Sequence, residues 1–195
     1  PGAAPVPVEE ELRRVMPVIE ALAGALAGSG VVISVDTSKP EVIAAAAAAG
    51  AGLINDIRAL SVPGALEAVA ATDCAVCLMH MQGEPSTMQL APRYENVVDE
   101  VRTFLLERVR HCRTVGVSAD RIVIDPGFGF GKTLEHNLEL LRRLEELTGT
   151  GWPVLVGLSR KSMIGRLLGE RPADERLHGS VALAVISAMK GARIV

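Results

Sequence analysis

Residues 31–50 read VVISVDTSKPEVIAAAAAAG, and they set a pattern that the rest of the chain repeats. VVISV is a continuous apolar run of strand length that closes at Asp36. An unbroken apolar run suits a strand covered by helices on both faces. Asp36-Thr37-Ser38-Lys39 is a polar break, Pro40 is pre-set for a first helical turn, and the alanine-rich helix that follows stops at Gly50. The same phrase recurs downstream. LIND (53–56) is a strand, and Pro63 starts a short helix that runs to about Ala71. CAVCLMH (74–80) is a strand, followed by a polar loop to Tyr94 and the longest helix, about Asn96 to Val115. RIVID (121–125) leads through a glycine-rich loop to a helix from Leu134 to Leu147. PVLVGL (153–158) is a fifth strand, helices follow over about Ser162–Leu168 and Glu175–Lys190, and Arg193 opens a sixth strand. Ahead of them all, Leu12, Val15, Met16, Ile19, Leu22 and Leu26 fall at helical spacing.

Strands alternating with helices, without hairpin signals, define an α/β protein with a parallel sheet. Spacing alone leaves two architectures open: a doubly wound sheet and a (β/α)8 barrel. No linker or low-complexity tract interrupts the chain, so residues 1–195 read as a single domain. Pro1 stands where a Met would, and Val195 ends a strand that has only begun, so both ends read as cuts in a longer chain.

Composition narrows the function. A net charge of −3 leaves no electrostatic footprint for nucleic acid. No apolar run reaches membrane-span length and no signal peptide is visible, so the expected compartment is the cytoplasm. Cys74 and Cys77 have a CxxC spacing with His80 three residues on, but successive side chains of a strand alternate faces and positions three apart point opposite ways, so Cys74, Cys77 and Cys112 read as core thiols.

In both architectures ligands sit at the carboxyl ends of the strands. Here those ends carry Asp36 to Lys39, Asn55-Asp56, His80, Asp125 and Ser159-Arg160-Lys161 in succession. Any one of them could simply cap the next helix; the full set reads as a binding rim. Asp36, Asn55 and Asp125 offer carboxylate and amide groups to a flat heterocycle with adjacent N–H donors and carbonyl acceptors, and two parallel bonds to a guanidine-like edge are within their chemistry. Lys161 adds a cation, and Ser162 at a helix start would favour an anion. His80 reads as structural rather than as an acid–base group; His111, His136 and His178 read as surface or packing residues. Met79, Met81 and Met88 could line an apolar pocket or fill the core.

DPGFGFGKT (125–133) resembles a nucleotide loop, which requires G-x-x-x-x-G-K-[ST]. Pro126 stands where the first glycine belongs and Gly127 is one place too close. The loop therefore reads as a substrate loop, with glycines permitting close approach, Phe130 as a wall, and Lys132-Thr133 merely leading into the next helix.

ISVDTSKP, INDIRAL, CLMHMQGEPSTMQ, DPGFGFGKT and VGLSRKSMIG, in this order and spacing, resemble the dihydropteroate synthase family over nearly the whole chain. The resemblance implies a (β/α)8 TIM barrel, incomplete here with about six of eight strands. It implies condensation of 6-hydroxymethyl-7,8-dihydropterin diphosphate with p-aminobenzoate to 7,8-dihydropteroate and pyrophosphate, assisted by Mg2+. Carried over residue by residue, Asp36, Asn55, Asp125 and Lys161 correspond to pterin-binding positions, Met79 and Gly157 to pterin-pocket walls, and Phe130 and Ser162 to the p-aminobenzoate pocket. Lys161 is the catalytic candidate. The reaction is implied to be dissociative, so the protein positions and stabilises charge without a general base.

Against the family pattern, the first two strands, the loop that supplies the metal ligand and the Arg-x-His segment are missing, so the metal ligands are expected outside this chain. Such a piece is expected to fold poorly and to be inactive alone, because a barrel lacking strands has open edges; the full-length protein is expected to be a homodimer and a sulfonamide target. Two alternatives stand beside this reading: a pterin-binding methyltransferase domain using methyltetrahydrofolate, and a non-catalytic pterin-binding module.

Overall fold

The computed structural model describes residues 5–195. Contacts between Cα atoms group them into two compact units, one of residues 5–79 and 106–123, the other of residues 80–105 and 124–195.

In the first unit, α1 (Val8–Ala25) leads to β1 (Ser34–Asp36), α2 (Pro40–Ala48), β2 (Leu53–Asp56), α3 (Ala65–Ala70) and β3 (Ala75–Met79). The strands pair in parallel, Val35 opposite Ile54 and Ile54 opposite Val76. β4 (Ile122–Asp125) takes the place after β3 in the sheet order, its first two residues belonging to this unit. The helices cover the strands with a core of Val42, Ile43, Val69 and Leu78, all fully buried. Three acidic residues, Glu9 to Glu11, lie in the first turn of α1, where the exposed N–H groups favour negative charge. β1 is shorter than the apolar run that announced it, since Val31 and Val32 are 60% and 64% exposed and only Ile33 onward engages β2. Apolar character alone does not make a strand; a hydrogen-bonding neighbour does.

In the second unit, α4 (Val97–Thr114), whose last turns belong to the first unit, is followed by the end of β4, α5 (Leu134–Arg142), α6 (Glu145–Thr148), α7 (Ser162–Leu167) and α8 (Leu177–Met189). The helix expected over 134–147 is thus two helices, broken at Arg143 and Leu144. Thr133 and His136 cap α5 reciprocally: the Thr133 hydroxyl accepts the His136 N–H while His136 Nδ1 accepts the Thr133 N–H, both at 3.2 Å. The fifth strand is present only as two parallel bridges, Ile124 to Val154 and Leu155 to Ile194, so the expected strand start near Arg193 lies beside it. Pro153, which has no N–H, limits that ladder to its carbonyl, which accepts from Ile124.

Candidate active site

The polar residues at the end of β1 sort themselves by partner. Thr37 is buried and donates its hydroxyl to Glu11 of α1, and Lys39 forms an ion pair with the same carboxylate. Ser38 donates to Asp56. These three hold the loop in place, and the Asp36 carboxylate is not taken up by those contacts. Strand alternation then separates Asn55 from Asp56. Asp56 is fully buried and accepts the N–H groups of Arg58 and Leu60, each at 2.8 Å. Those bonds stabilise a turn in which Ala59 and Leu60 adopt left-handed φ values of 50° and 58°. Arg108 of α4 closes the same turn by donating to the carbonyls of Ala59 and Leu60. Asp56 is therefore a structural cap.

Asn55 is different. It is the register partner of Asp36 across β1 and β2, so the two side chains lie in one row on one face of the sheet. Its Oδ1 is buried and has no hydrogen-bond partner. An orphaned buried acceptor costs about 1–3 kcal/mol, which a ligand N–H can recover. The Asp36 carboxyl is held above the usual range, first by partial desolvation and then by the negative charges of Asp56 and Glu11. A donor-rich, electron-poor ring edge relieves both conditions. Met79, at the end of β3 in this unit, is 3% exposed.

The second unit carries the remaining candidates. Asp125 is buried at the end of β4 and accepts the Gly127 N–H at 2.7 Å. Burial pushes its carboxyl up to about 6, against the pull of that N–H and of Lys132 and Lys161. Lys161 Nζ stands 4.4 Å from the centroid of the Phe130 ring, within cation–π range. Desolvation holds the Lys161 ammonium below its ordinary value, with the Asp125 charge opposing.

Phe130, Lys161 and Ser162 line one cavity of about 470 Å³, together with Met88, Pro92 and Arg166. That volume lies within the range of small-molecule sites. Its walls, which also include Lys132, Arg160 and Met163, combine an aromatic face, two thioethers and four cationic side chains, a chemistry suited to a flat aromatic acid. α7 is only six residues long, so positive charge at this cavity comes chiefly from its lining lysines and arginines rather than from a helix dipole. Gly157 is not part of the cavity wall; it is exposed and a side chain there would meet open space.

One residue escaped the sequence reading. Lys132, expected only to lead into a helix, is 3% exposed, and its Nζ lies 2.9 Å from His80 Nδ1, 3.0 Å from the Gly127 and Phe130 carbonyl oxygens and 3.3 Å from that of His80. Burial, with the like charge of Lys161 adding to it, lowers its ammonium to about 7. His80 is itself held down to about 3 by burial and by Lys132, and packs edge-on against Phe104. A neutral, enclosed His80 agrees with its structural reading. His136 caps α5, while His111 contacts Arg108 on α4. Cys74, Cys77 and Cys112 are all buried, as their reading as core thiols requires. Among the described residues no three His, Cys, Asp or Glu side chains gather as a metal site, and no step is routed through a metal.

The end-of-strand carboxylates and amide, with an aromatic-and-cation cavity, define a class of protein built to hold a flat heterocycle. The chain belongs to the pterin binding enzyme family, which matches residues 1–195. The particular relatives are dihydropteroate synthases. The enzyme of Escherichia coli K12 is 57% identical over 195 residues, covering all of this chain and 68% of the relative. The solved dihydropteroate synthase of Xanthomonas albilineans with 4-aminobenzoic acid is 52% identical at a TM-score of 0.92, over all of this chain and 68% of that one. The Yersinia pestis enzyme, solved in a sulfonamide drug complex, is 52% identical at a TM-score of 0.94, over all of this chain and 69% of that one. These neighbours are (β/α)8 barrels, and the order of parallel strands and helices here is that of an incomplete barrel of the same kind.

Proposed function

We propose that this chain carries the substrate-binding part of a dihydropteroate synthase, joining 6-hydroxymethyl-7,8-dihydropterin diphosphate to 4-aminobenzoate. The observation that carries this reading is the cavity in which Phe130, Lys161 and Ser162 meet, in a chain 57% identical to a named dihydropteroate synthase. Asp36 and Asn55 accept the pterin ring's N–H donors, the orphaned Asn55 Oδ1 supporting this role, and Asp125 is assigned to pterin binding by the resemblance. Met79 and Gly157 stay with the pterin as wall positions. Phe130 flanks the aminobenzoate ring, and Ser162 with Lys161 meets its carboxylate.

In the reaction the methylene C–O bond breaks with its electron pair leaving on pyrophosphate. The aniline nitrogen then forms the new C–N bond and releases a proton to solvent. The residues' contribution is orientation and charge stabilisation. A neutral His80 tied to Lys132 supports a reaction without a histidine base. The resemblance to synthases rather than methyltransferases, together with the aromatic acid cavity, favours this reading over methyltetrahydrofolate chemistry.

The test is to supply the full-length protein with both substrates and follow 7,8-dihydropteroate by chromatography. Pterin binding without product would sink the enzyme reading and leave a binding module. Mg2+ dependence, a cytoplasmic location and a homodimer belong to the same proposal. Chelation, cell fractionation and sedimentation check them in turn, and activity that survives full chelation, a membrane-bound protein or a monomer would each overturn its part. No described helix is long and apolar enough to cross a membrane.

A further inference from the structure

The turn from Gly127 to Lys132 contains no regular secondary structure, yet most of its carbonyls are held by side chains. Lys132 Nζ holds the Gly127 and Phe130 carbonyls. Gln89 donates to the Gly129 carbonyl, Tyr94 to that of Gly131 at 2.8 Å, and Asn137 to that of Lys132 at 3.4 Å. Asn137 Oδ1 accepts the Gly129 N–H at 2.7 Å. Of these braces Lys132 and Asn137 are both buried, and Lys132 is the one that links the carbonyls on both sides of the Phe128-Gly129 pair to His80. Its Nζ bonds within the turn, while Lys161 Nζ stands 4.4 Å from the Phe130 ring centroid, and Phe130, Lys132 and Lys161 all line the cavity. A buried lysine without a carboxylate in contact is costly unless its donors are filled, and here they are filled by the turn itself.

We propose that Lys132 is a positioning residue for the aromatic-acid subsite: by tying the Gly127 and Phe130 carbonyls to His80, its ammonium sets where the Phe130 ring stands against Lys161. This inference rests on the reading of that cavity as the 4-aminobenzoate site. Lys132 shares the cavity lining with Phe130, but its Nζ is engaged by His80 and by the turn carbonyls, so it acts through Phe130. An angstrom of displacement in a binding wall is enough to change affinity substantially, so the effect falls on one substrate rather than on both.

The test uses the full-length protein with Lys132→Met, Phe130→Ala and the double variant, measuring KM for 4-aminobenzoate, kcat, pterin affinity and urea stability. Lys132→Met is expected to raise the 4-aminobenzoate KM about tenfold while pterin affinity changes less than about threefold, and the double variant is expected to be no worse than Phe130→Ala alone. A Lys132→Met protein with lower stability but an unchanged 4-aminobenzoate KM overturns the inference, as do fully additive effects. If Lys132→Met does not fold, His80→Gln, which loosens one of the four contacts, decides: a rise in KM of about threefold supports the proposal and an unchanged KM overturns it. Product formation by the wild-type protein reports separately on the enzyme reading, so failure of one is distinguishable from failure of the other.

Discussion

Asp36 and Asn55 stand opposite each other across two parallel strands, and the Asn55 Oδ1 is buried without a partner. An acceptor left in that state weakens the unbound protein and strengthens the bound one. Asn55→Ala is therefore expected to leave urea stability of the unbound protein unchanged or slightly raised, while pterin affinity falls about tenfold to a hundredfold. Calorimetric titration with a dihydropterin decides it. A variant that loses stability and keeps its pterin affinity would show that Asn55 is a core residue.

Asp125 titrates at about 6 in the unbound protein because burial favours its neutral acid. A ring edge of N–H donors needs the carboxylate, so kcat/KM is expected to be level above pH 7 and to fall about tenfold per pH unit below about 6. Stability runs the other way. The folded state keeps a proton that the unfolded chain releases near the ordinary value of 3.8, so this group's stabilising contribution is complete below that value and is lost as pH rises through about 6. Asp125→Asn should remove that stability slope and most of the activity. An unchanged slope in urea titrations at pH 4 and pH 7 would count against the assignment.

Asp56 offers a contrasting outcome to its neighbour. Its carboxylate holds Ser38 and two backbone N–H groups around a left-handed turn. Asp56→Ala is expected to destabilise the fold by about 2–4 kcal/mol in urea unfolding, since several buried donors lose their acceptor together. A loss below about 0.5 kcal/mol would contradict the capping role.

Gly131 has a φ of +61°, and a Cβ there would run into the backbone of Gln82. Gly131→Ala is expected to shift the Phe130 turn and raise the 4-aminobenzoate KM at least tenfold, with pterin affinity less affected. Steady-state kinetics with each substrate varied separately checks this, and equal effects on both would argue for general unfolding.

Much of this protein was legible in its residues. VVISVDTSKP and INDIRAL announced strands ending in polar groups because apolar runs, Pro and Gly punctuate an α/β chain strongly. The failed nucleotide loop was legible too, since Pro126 and Gly127 break its spacing. Strand alternation in LIND also places Asn55 and Asp56 on opposite faces. Other features depend on partners far away in sequence. Whether 153–158 becomes a full strand depends on Ile124 and Ile194, and its yield of two bridges is a matter of neighbours.

The amino-acid sequence by itself determined the alternation of strands and helices, the family, and the identity of the groups at the strand ends, because these follow from local periodicity and residue chemistry. Only the tertiary structure decided which of those groups are spent on the fold and which are left for a ligand. Thr37, Ser38, Lys39 and Asp56 are occupied by one another and by Glu11, whereas Asn55 Oδ1 is not. Lys132 shows the same division most plainly. By its place in the sequence it only leads into the next helix, and burial against His80 and two carbonyls of its own turn made it a brace. Hydrogen-bond satisfaction in a closed interior is a property of three-dimensional neighbours, and no local pattern of residues records it.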